Sequence, residues 1–528
     1  MLYQIYLRSF ADSNGDGIGD LRGVIERLDY LSWLGVDGIW LSPVTVSPNA
    51  DWGYDVAEYC AVHPDLGTLD DIDELITEAY RRNIRVLLDL IPNHTSDQHP
   101  WFQDARTSRT ARHRDFYIWA DPTSDGSPPN NWHTGAWGPA WTHDIDGDQV
   151  YYHSFSPGQP DLNWWNDEVR AEFDTIQRFW YGRGIAGFRL DTCDVLIKDR
   201  QLRDNPPSTV RDHLADRLRG QRRVYNSNRP EVHDILRHWR SVADSYPSPR
   251  LLFGETVVPD IDTLAGYYGT DDELHLTLNV PFQESDLTAA SLSTIVDAVE
   301  HALPPGAWPL WSGSNHDISR MASRWGAGNP EKTRLALMLL LTLRGTPLLY
   351  QGDEIGLTDT PLDHSDLRDP FGIALWPAHP GRDPARTPMP WSNQPGAGFT
   401  TPGAAPWLPL GDYTTCNVAD QRGQPNSTLN LVRDLIALRR ASPDLHSGDY
   451  TRLNSPYGTW MWRRGENTII ALNFSDTNVT LTQTTGAIVL STQRHRDGTA
   501  VAGSVELQAH EGIVLHTTPP NTTTAGSV

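Results

Sequence analysis

Cysteine is scarce in this chain of 528 residues, with only Cys60, Cys193 and Cys416 present. An odd, widely spaced set of this kind is not a disulfide framework and favours a reducing compartment. Residues 1–8 also lack the basic segment followed by an apolar one that a secretory signal needs. The sequence therefore predicts a cytoplasmic protein.

Long apolar runs and basic residues are also in short supply. The longest apolar run, residues 335–343, is well below the roughly 20 residues of a membrane-spanning helix. There are 43 Lys and Arg against 67 Asp and Glu, which gives a formal net charge of −24. Such a field repels phosphate backbones and anionic lipid. These deficits argue against nucleic acid and membranes as partners. A neutral small molecule is compatible with them, although acidity also serves solubility.

Aromatic residues, in contrast, are plentiful: there are 20 Trp, 18 Tyr and 12 Phe. Aromatic rings stack on the apolar faces of sugars, and they also fill protein cores. We expect both uses here, so the composition is compatible with a carbohydrate-binding surface.

Strand and helix patterns alternate along most of the chain. Short apolar runs bounded by Gly or Pro indicate buried parallel strands, and the apolar residues of 24–34 recur at helical spacing. Thr68 and Asp71 have the spacing of a capping box at the start of the next helix. Eight strands are predicted, at 2–6, 38–42 and 84–90 and in runs that end near Asp191, Glu255, Asn279, Asp317 and Glu354. Eight is the number that a (β/α)8 TIM barrel needs, so the predicted fold class is α/β.

Two segments break this alternation. Residues 97–164 are rich in Pro, Gly, Asp, Asn and Trp, which predicts a small irregular subdomain inserted after strand 3. From about residue 446 the pattern predicts a C-terminal antiparallel β domain, expected to be a β-sandwich, with a frayed tail at 519–528. The predicted domains are the barrel at 1–96 and 165–445, the insertion at 97–164 and the C-terminal domain at 446–528.

Three carboxylates, Asp191, Glu255 and Asp317, each follow a predicted strand. The C-terminal strand ends of a barrel meet at its mouth, where catalytic groups collect. Three negative charges there suit a developing positive charge, and glycosidic bond cleavage is the leading case. Arg189 lies two residues before Asp191, so both side chains point the same way and the cation keeps Asp191 ionised. Glu255 follows an apolar run and has no adjacent arginine, which predicts a raised pKa.

Six short motifs carry a resemblance to a known family. They are Asp89-Leu-Ile-Pro-Asn-His94, Gln159-Pro-Asp-Leu-Asn163, Gly187-Phe-Arg-Leu-Asp191, Gly254-Glu255, Asn315-His-Asp317 and Gly381-Arg-Asp-Pro-Ala-Arg-Thr-Pro-Met-Pro-Trp391. In this order and spacing the chain resembles glycoside hydrolase family 13, the α-amylase superfamily, and within it the oligo-1,6-glucosidase and α-glucosidase subgroup. The resemblance extends over nearly the whole chain.

The resemblance implies a role for each carboxylate. Asp191 is expected to be the nucleophile that forms a covalent glycosyl-enzyme. Glu255 is expected to be the general acid and then the general base, while Asp317 holds sugar hydroxyls and stabilises the transition state. Such a retaining pair needs carboxyl groups about 5–5.5 Å apart, with one protonated and the other ionised.

The resemblance also implies a closed sugar pocket. Asp51 and Arg386 are expected to close its deep end, which means exo action with removal of one glucose from the non-reducing end. Thr192, next to the nucleophile, stands where α-1,6-preferring members carry Val, and it mildly favours α-1,4 substrates. The other residues expected to bind substrate are Tyr54, His94, Phe155, Gln159, Arg189, His316 and Arg382.

A second site is predicted in the loop after the first strand. Asp12, Asn14, Asp16 and Asp20 place oxygen ligands at alternate positions of a Gly-rich turn, and the Ile18 carbonyl completes a set that suits Ca²⁺. The other interpretation is an Asp/Asn/Gly turn that caps the following helix. The resemblance supports a structural calcium ion and implies no organic cofactor.

These features together predict an exo-acting retaining α-glucosidase for short α-glucosides. A transglucosylase or isomerase of the trehalose synthase or sucrose isomerase type has the same three carboxylates and stays open, as does an endo-acting amylase. A non-catalytic relative is disfavoured because the carboxylates are kept. The sequence contains no signal for the oligomeric state.

Overall fold

The computed structural model describes residues 1–144, 147–210, 212, 214–258 and 260–517. Its central sheet consists of eight parallel strands: β1 (Leu2–Ile5), β2 (Gly38–Leu41), β3 (Arg85–Leu90), β4 (Gly187–Leu190), β5 (Leu251–Gly254), β6 (Leu276–Thr277), β7 (Leu310–Ser312) and β8 (Thr346–Tyr350). The hydrogen-bonded order is β6-β5-β4-β3-β2-β1-β8-β7. Because β1 pairs with β8, the sheet curls into the predicted (β/α)8 architecture. Among the described residues, no backbone hydrogen bonds pair β6 with β7. The ring of eight strands is therefore not fully closed.

The strands are buried on both faces, which explains their nearly continuous apolar sequences. Alternate residues point to opposite faces of a strand. Trp40, Leu87, Phe253 and Leu348 belong to a cluster inside the ring. The residues that alternate with them along the strands, such as Ile39, point outward and pack in the main core against the surrounding helices. The sheet is therefore a filled barrel rather than a channel.

Helices alternate with the strands as predicted. The long ones are Leu21–Leu34, Leu69–Arg81, Asp167–Arg183, Val232–Asp244, Ala289–Ala302, Pro330–Thr342 and Thr428–Ala441. The capping box is confirmed, since the Thr68 side chain accepts the Asp71 N–H and the Asp71 carboxylate accepts the Thr68 N–H. Shorter helices lie at Pro100–Ala105, Leu214–Arg219, Ile261–Gly266, Val280–Glu284, Met321–Arg324, Pro370–Leu375, Asp383–Arg386, Val418–Arg422 and Pro443–Ser447. Single 3-10 turns occur at Leu7–Ser9, Arg114–Phe116, Cys193–Val195, Asp353–Ile355 and His364–Asp366.

The segment between β3 and β4 is irregular, as expected for the inserted subdomain. Its short strands are Trp119–Ala120, His133–Gly135, Gly138–Pro139, Trp141–His143 and Val150–Tyr152. It has a small apolar cluster of its own, centred on Trp132, Trp141 and Tyr152. A further hairpin, Thr45–Val46 with Glu58–Val62, follows β2. An isolated antiparallel β-bridge pairs His94, shortly after β3, with Asp161 near the end of the insertion.

The C-terminal segment forms an antiparallel sheet of six strands. In hydrogen-bonded order they are Tyr450–Leu453, Thr459–Arg464, Thr468–Asn473, Gly512–His516, Val479–Ser491 and Ala500–Leu507. The ladders join all six strands, because Gly512–His516 pairs on both sides. The sandwich arrangement expected for this domain stays a prediction. One face packs on the barrel through Trp460 and Trp462. The domain boundaries themselves stay predictions, and residues 519–528 lie outside the described residues.

The three cysteines are free thiols. Over the described ranges, the structure contains no helix that is both long and apolar enough to cross a bilayer. The cytoplasmic location stays a prediction.

Candidate active site

A single buried arginine connects two of the three predicted carboxylates. Arg189 lies in β4, and its side chain is only 1% exposed. Its Nη1 donates to Asp191 Oδ1 at 2.6 Å, and its Nη2 donates to Glu255 Oε2 at 2.5 Å. The two carboxylates follow adjacent parallel strands whose last residues, Leu190 and Gly254, are paired in register. The strand ends therefore bring Asp191 and Glu255 to one guanidinium.

The surroundings of Glu255 raise the pKa of its carboxyl group. Burial raises the pKa of Glu255 to about 8, against the opposing charge of Arg189, and the charges of Asp191 and Asp317 add to the rise. No arginine is adjacent to Glu255 in the sequence, but Arg189 contacts it across the sheet. The raised pKa arises nevertheless, because burial and two like charges outweigh one cation.

A fourth carboxylate, Asp89, lies beneath the pair and was not assigned a role from the sequence. Asp89 pairs in register with Arg189 between β3 and β4, and accepts a 2.8 Å hydrogen bond from its Nη1. It also accepts hydrogen bonds from Tyr54 Oη at 3.0 Å and Trp40 Nε1 at 3.3 Å. Burial raises the pKa of Asp89 to about 7, although Arg189 opposes the rise. Asp89 lies within an apolar run, so the sequence pattern does not indicate that it belongs to the site.

Asp317 lies in a more cationic environment than Glu255. Burial alone raises the pKa of this carboxyl, but the charges of Arg382 and Arg386 beside it hold the pKa below its usual range. Burial lowers the pKa of His316 well below its ordinary value, so the imidazole is neutral. We therefore attribute the ionised state of Asp317 to Arg386 Nη2 at 3.0 Å and Arg382 Nη1 at 3.4 Å.

Tyr54, His94 and His316 are held in place by contacts within the protein. The Tyr54 ring stacks on His316 with centroids 5.3 Å apart and planes 7° from parallel. His316 Nδ1 contacts Gln4 Nε2 at 2.7 Å, and His94 Nε2 lies 2.9 Å from the Tyr54 carbonyl oxygen. Phe155 contacts His94 edge-on at 5.3 Å. These rings form a rigid wall, and their contacts with a sugar stay predictions.

The arginine that pairs with Asp51 differs from the predicted one. Arg382 Nη2 lies 2.6 Å from Asp51 Oδ1, whereas Arg386 is fully buried and donates to the His316 carbonyl oxygen and to Asp317. Both arginines occur in the same motif, four residues apart. Because the short helix Asp383–Arg386 turns the chain between them, only Arg382 reaches the cavity. Gln159 Nε2 donates to the other oxygen of Asp51 at 3.1 Å.

These residues surround a cavity of about 680 Å³. Ten of the predicted site residues line it, namely Asp51, Tyr54, His94, Phe155, Gln159, Asp191, Thr192, Glu255, Asp317 and Arg382. Arg189, His316 and Arg386 contact that set from beneath. The lining residues that the sequence did not indicate are Thr134, Gly135, Ala136, Trp137, Leu218, Arg219, Val257, Phe371, Leu375 and His379. They come from the insertion, from the short helices Leu214–Arg219 and Pro370–Leu375, and from loops.

The loop after β1 contains the hydrogen bonds of a turn that caps the following helix. Asp12 Oδ1 accepts the Gly15 N–H at 2.7 Å, and Asp16 Oδ1 accepts the Ile18 N–H at 2.8 Å. Asp20 caps the helix Leu21–Leu34. Among the residues that the structure describes, no group of three or more His, Cys, Asp and Glu side chains is arranged to hold a metal. The calcium site stays a prediction.

Comparisons with known proteins agree with this geometry. A model of the alpha-amylase catalytic domain matches residues 4–448. A probable alpha-glucosidase of Rhizobium meliloti (strain 1021) is 42% identical over 462 residues, which cover 85% of this chain and 83% of that protein. An oligo-1,6-glucosidase of Heyndrickxia coagulans is 35% identical over 92% of this chain and 93% of its own length. The crystal structure of an alpha-glucosyl transfer enzyme, XgtA, matches with a TM-score of 0.91 and 38% identity over 98% of both chains.

Proposed function

The chain belongs to the α-amylase family of glycoside hydrolases, family 13, and we propose that it is an exo-acting retaining α-glucosidase. Its substrates are short α-glucosides, with α-1,4 linkages favoured over α-1,6, and it releases glucose from the non-reducing end. The observation that supports this most directly is that Arg189 forms ion pairs with both Asp191 and Glu255. One cation that holds both carboxylates close together fits a double displacement, in which one carboxylate attacks and the other transfers a proton.

In the first step, Asp191 attacks the anomeric carbon while Glu255 gives its proton to the glycosidic oxygen. The bond from that oxygen to the anomeric carbon breaks, and an ester between Asp191 and glucose forms. In the second step, water gives a proton to Glu255 and attacks the anomeric carbon, and the ester breaks. The raised pKa of Glu255, about 8, supports its acid role at neutral pH.

Exo action is supported by the end of the cavity at Asp51. There Asp51 forms an ion pair with Arg382 and accepts a hydrogen bond from the Gln159 amide. Arg382 also forms an ion pair with Asp369 at 2.6 Å. Charged groups with fixed orientation suit the hydroxyls of one terminal glucose. A chain cannot pass through an end closed in this way.

A second candidate function is glucosyl transfer to another sugar. The likeness to an alpha-glucosyl transfer enzyme over 98% of both chains favours it. Transfer needs only that an acceptor hydroxyl replace water in the second step. The three carboxylates do not distinguish the two outcomes.

A substrate panel followed by NMR tests the proposal. Maltose, isomaltose, sucrose, trehalose and starch are each incubated with the enzyme, and products are followed from the first minutes. We expect α-glucose as the first product, with maltose faster than isomaltose and starch slowest. A first product with β configuration would contradict retention, and mainly isomeric disaccharides would favour transfer over hydrolysis.

We also propose that the loop 12–20 holds a structural Ca²⁺. Asp12, Asn14, Asp16, the Ile18 carbonyl and Asp20 supply only oxygen donors, which is the set that Ca²⁺ prefers. The ion would stabilise the loop after β1 and take no part in the reaction.

A further inference from the structure

A second cavity, of about 520 Å³, lies between the insertion and the segment that follows β4. We call it the seam cavity. The insertion contributes Asp115 and Trp119 to its wall, and later parts of the chain contribute Trp165 and Arg200. None of its lining residues belongs to the catalytic cavity, the one that contains Asp191 and Glu255. Its volume is in the range of small-molecule sites.

Two indole rings in the wall of the seam cavity are held in fixed positions. Trp119 Nε1 donates to the Arg114 carbonyl oxygen at 2.9 Å, and Trp165 Nε1 donates to the Lys198 carbonyl oxygen at 2.8 Å. Both rings are partly exposed. Because their N–H groups are used within the protein, the two rings offer a ligand apolar surface of fixed orientation.

Two charged groups of the seam cavity are available to a ligand. Asp115 uses its backbone carbonyl oxygen to accept hydrogen bonds from Asn163 and Asn166, at 3.0 and 3.1 Å. In the described part of the chain its exposed carboxylate has no hydrogen bond or ion pair. The exposed Arg200 guanidinium likewise only stacks on Trp165, 4.1 Å from the ring centroid. The cavity therefore offers one strong acceptor and one strong donor.

This combination favours a neutral hydroxylated ligand. Two further cations in the wall are already compensated, since Lys198 forms an ion pair with Asp161 and Arg109 forms one with Asp121. An anion would therefore meet the free carboxylate of Asp115 without a surplus of positive charge. A purely apolar molecule would take charged groups out of water without replacing their hydrogen bonds. A sugar has apolar C–H faces and hydroxyls that both donate and accept, so it matches the rings and both charges.

We propose that the seam cavity is a second sugar site, which binds a neutral monosaccharide of the glucose type. The C–H face of the sugar packs on Trp119 and Trp165, and its hydroxyls bond to the Asp115 carboxylate and the Arg200 guanidinium. The site makes no covalent bond and lies outside the catalytic cavity. It therefore goes beyond the proposed function and does not depend on the reaction catalysed.

Fluorine NMR of the full chain labelled with 5-fluorotryptophan tests the site. The Trp165 signal is identified by its loss in Trp165→Phe, and glucose is then titrated into the otherwise wild-type protein. We expect this signal to shift with a Kd of about 1–10 mM. Asp115→Ala should raise that Kd by about three- to tenfold, because a charge-assisted hydrogen bond is lost. Tyr457→Ala is the control, since Tyr457 is fully exposed and lines neither cavity.

A second control is needed because one segment separates the two cavities. Gln159 lines the catalytic cavity, and Asn163 of the same segment lines the seam cavity. Asp51→Asn weakens binding in the catalytic cavity and should leave the Trp165 titration unchanged. If the Kd from Trp165 rises in Asp51→Asn and not in Asp115→Ala, the signal reports the catalytic cavity and the second site is wrong.

Two other results would overturn the assignment. One is a Trp165 signal that glucose does not shift in a saturable way. The other is a signal that inorganic phosphate shifts and glucose does not, which would make the seam cavity an anion site. Asp115 is exposed, so Asp115→Ala carries little risk of unfolding, and thermal unfolding checks this. Because the titration follows binding alone, its failure would leave the proposed function standing.

Discussion

The guanidinium of Arg382 lies 2.6 Å from the carboxylate of Asp51, and both residues line the cavity that also contains Asp191 and Glu255. The contact joins a segment after β8 to a segment after β2. Arg382 is anchored independently by Asp369, and Asp51 is held independently by Gln159. Each partner is thus oriented even without the other, so a change at Asp51 tests substrate binding more than the fold.

Asp51→Asn should lower kcat/KM for maltose by about 10- to 100-fold, chiefly through KM. The substitution keeps the shape but removes a charge-assisted hydrogen bond to a sugar hydroxyl. Steady-state kinetics measure the effect, and Asp65→Asn is the control because that carboxylate is 42% exposed and outside the cavity. A wild-type KM in Asp51→Asn would show that this carboxylate does not contact the sugar.

Asp191→Ala should lower turnover by about 10⁴-fold or more, because no covalent intermediate can form. Azide added with α-glucosyl fluoride should restore turnover and give β-glucosyl azide, since azide then attacks from the side that Asp191 occupied. In Glu255→Ala, azide should instead give the α product. NMR distinguishes the two anomers, and the reverse pattern would exchange the two roles.

The pKa of Glu255 predicts the alkaline limb of the pH profile. With a pKa raised to about 8, Glu255 carries its proton at neutral pH and loses it as the pH rises through that value. We expect kcat/KM for maltose to fall over the same range. Glu255→Gln should lose about 10²- to 10⁴-fold on maltose but much less on α-glucosyl fluoride, whose leaving group needs no proton. A wild-type profile that stays flat through pH 9 would contradict the assignment.

The same pKa predicts a change in stability. Between the ordinary value of 4.5 and about 8, the folded chain keeps a proton on Glu255 that the unfolded chain has lost. The free energy of unfolding therefore falls as the pH rises through this window. Glu255→Gln removes the effect, and it should be more stable than wild type at pH 8 by about 1–3 kcal/mol, with little difference at pH 4. Thermal unfolding at both pH values measures this, with the exposed Glu466→Gln as control. Equal melting temperatures at pH 8 would show that the folded site does not favour the neutral acid.

The barrel and the position of Asp191 and Glu255 at adjacent strand ends could be predicted from the sequence because their signals are local. An apolar run that ends in a carboxylate indicates both a buried strand and a residue at the mouth. The contact between Arg189 and Glu255 depends instead on strand register, which a run of apolar residues does not specify. The choice between Arg382 and Arg386 depends on where one short helix turns the chain. The cavity-lining residues Trp137 and Leu218 could not be predicted, because one comes from the irregular insertion and the other from a helix of six residues, too short to show a periodic pattern.

Calcium should raise the melting temperature of the wild-type protein, and a chelator should lower it. Asp12→Ala is an unsuitable test, because Asp12 accepts the N–H groups of Asn14, Gly15 and Gly17 and its loss weakens the loop with or without metal. Asp16 is exposed, and among the described residues its carboxylate accepts only the Ile18 N–H, so Asp16→Ala should remove a ligand at little cost to the metal-free fold. We expect the calcium-dependent rise to disappear in this variant, while turnover at low temperature stays near wild type because the loop is separate from the cavity. If the wild-type melting temperature is the same in calcium and in chelator, the loop is a helix-capping turn and binds no metal.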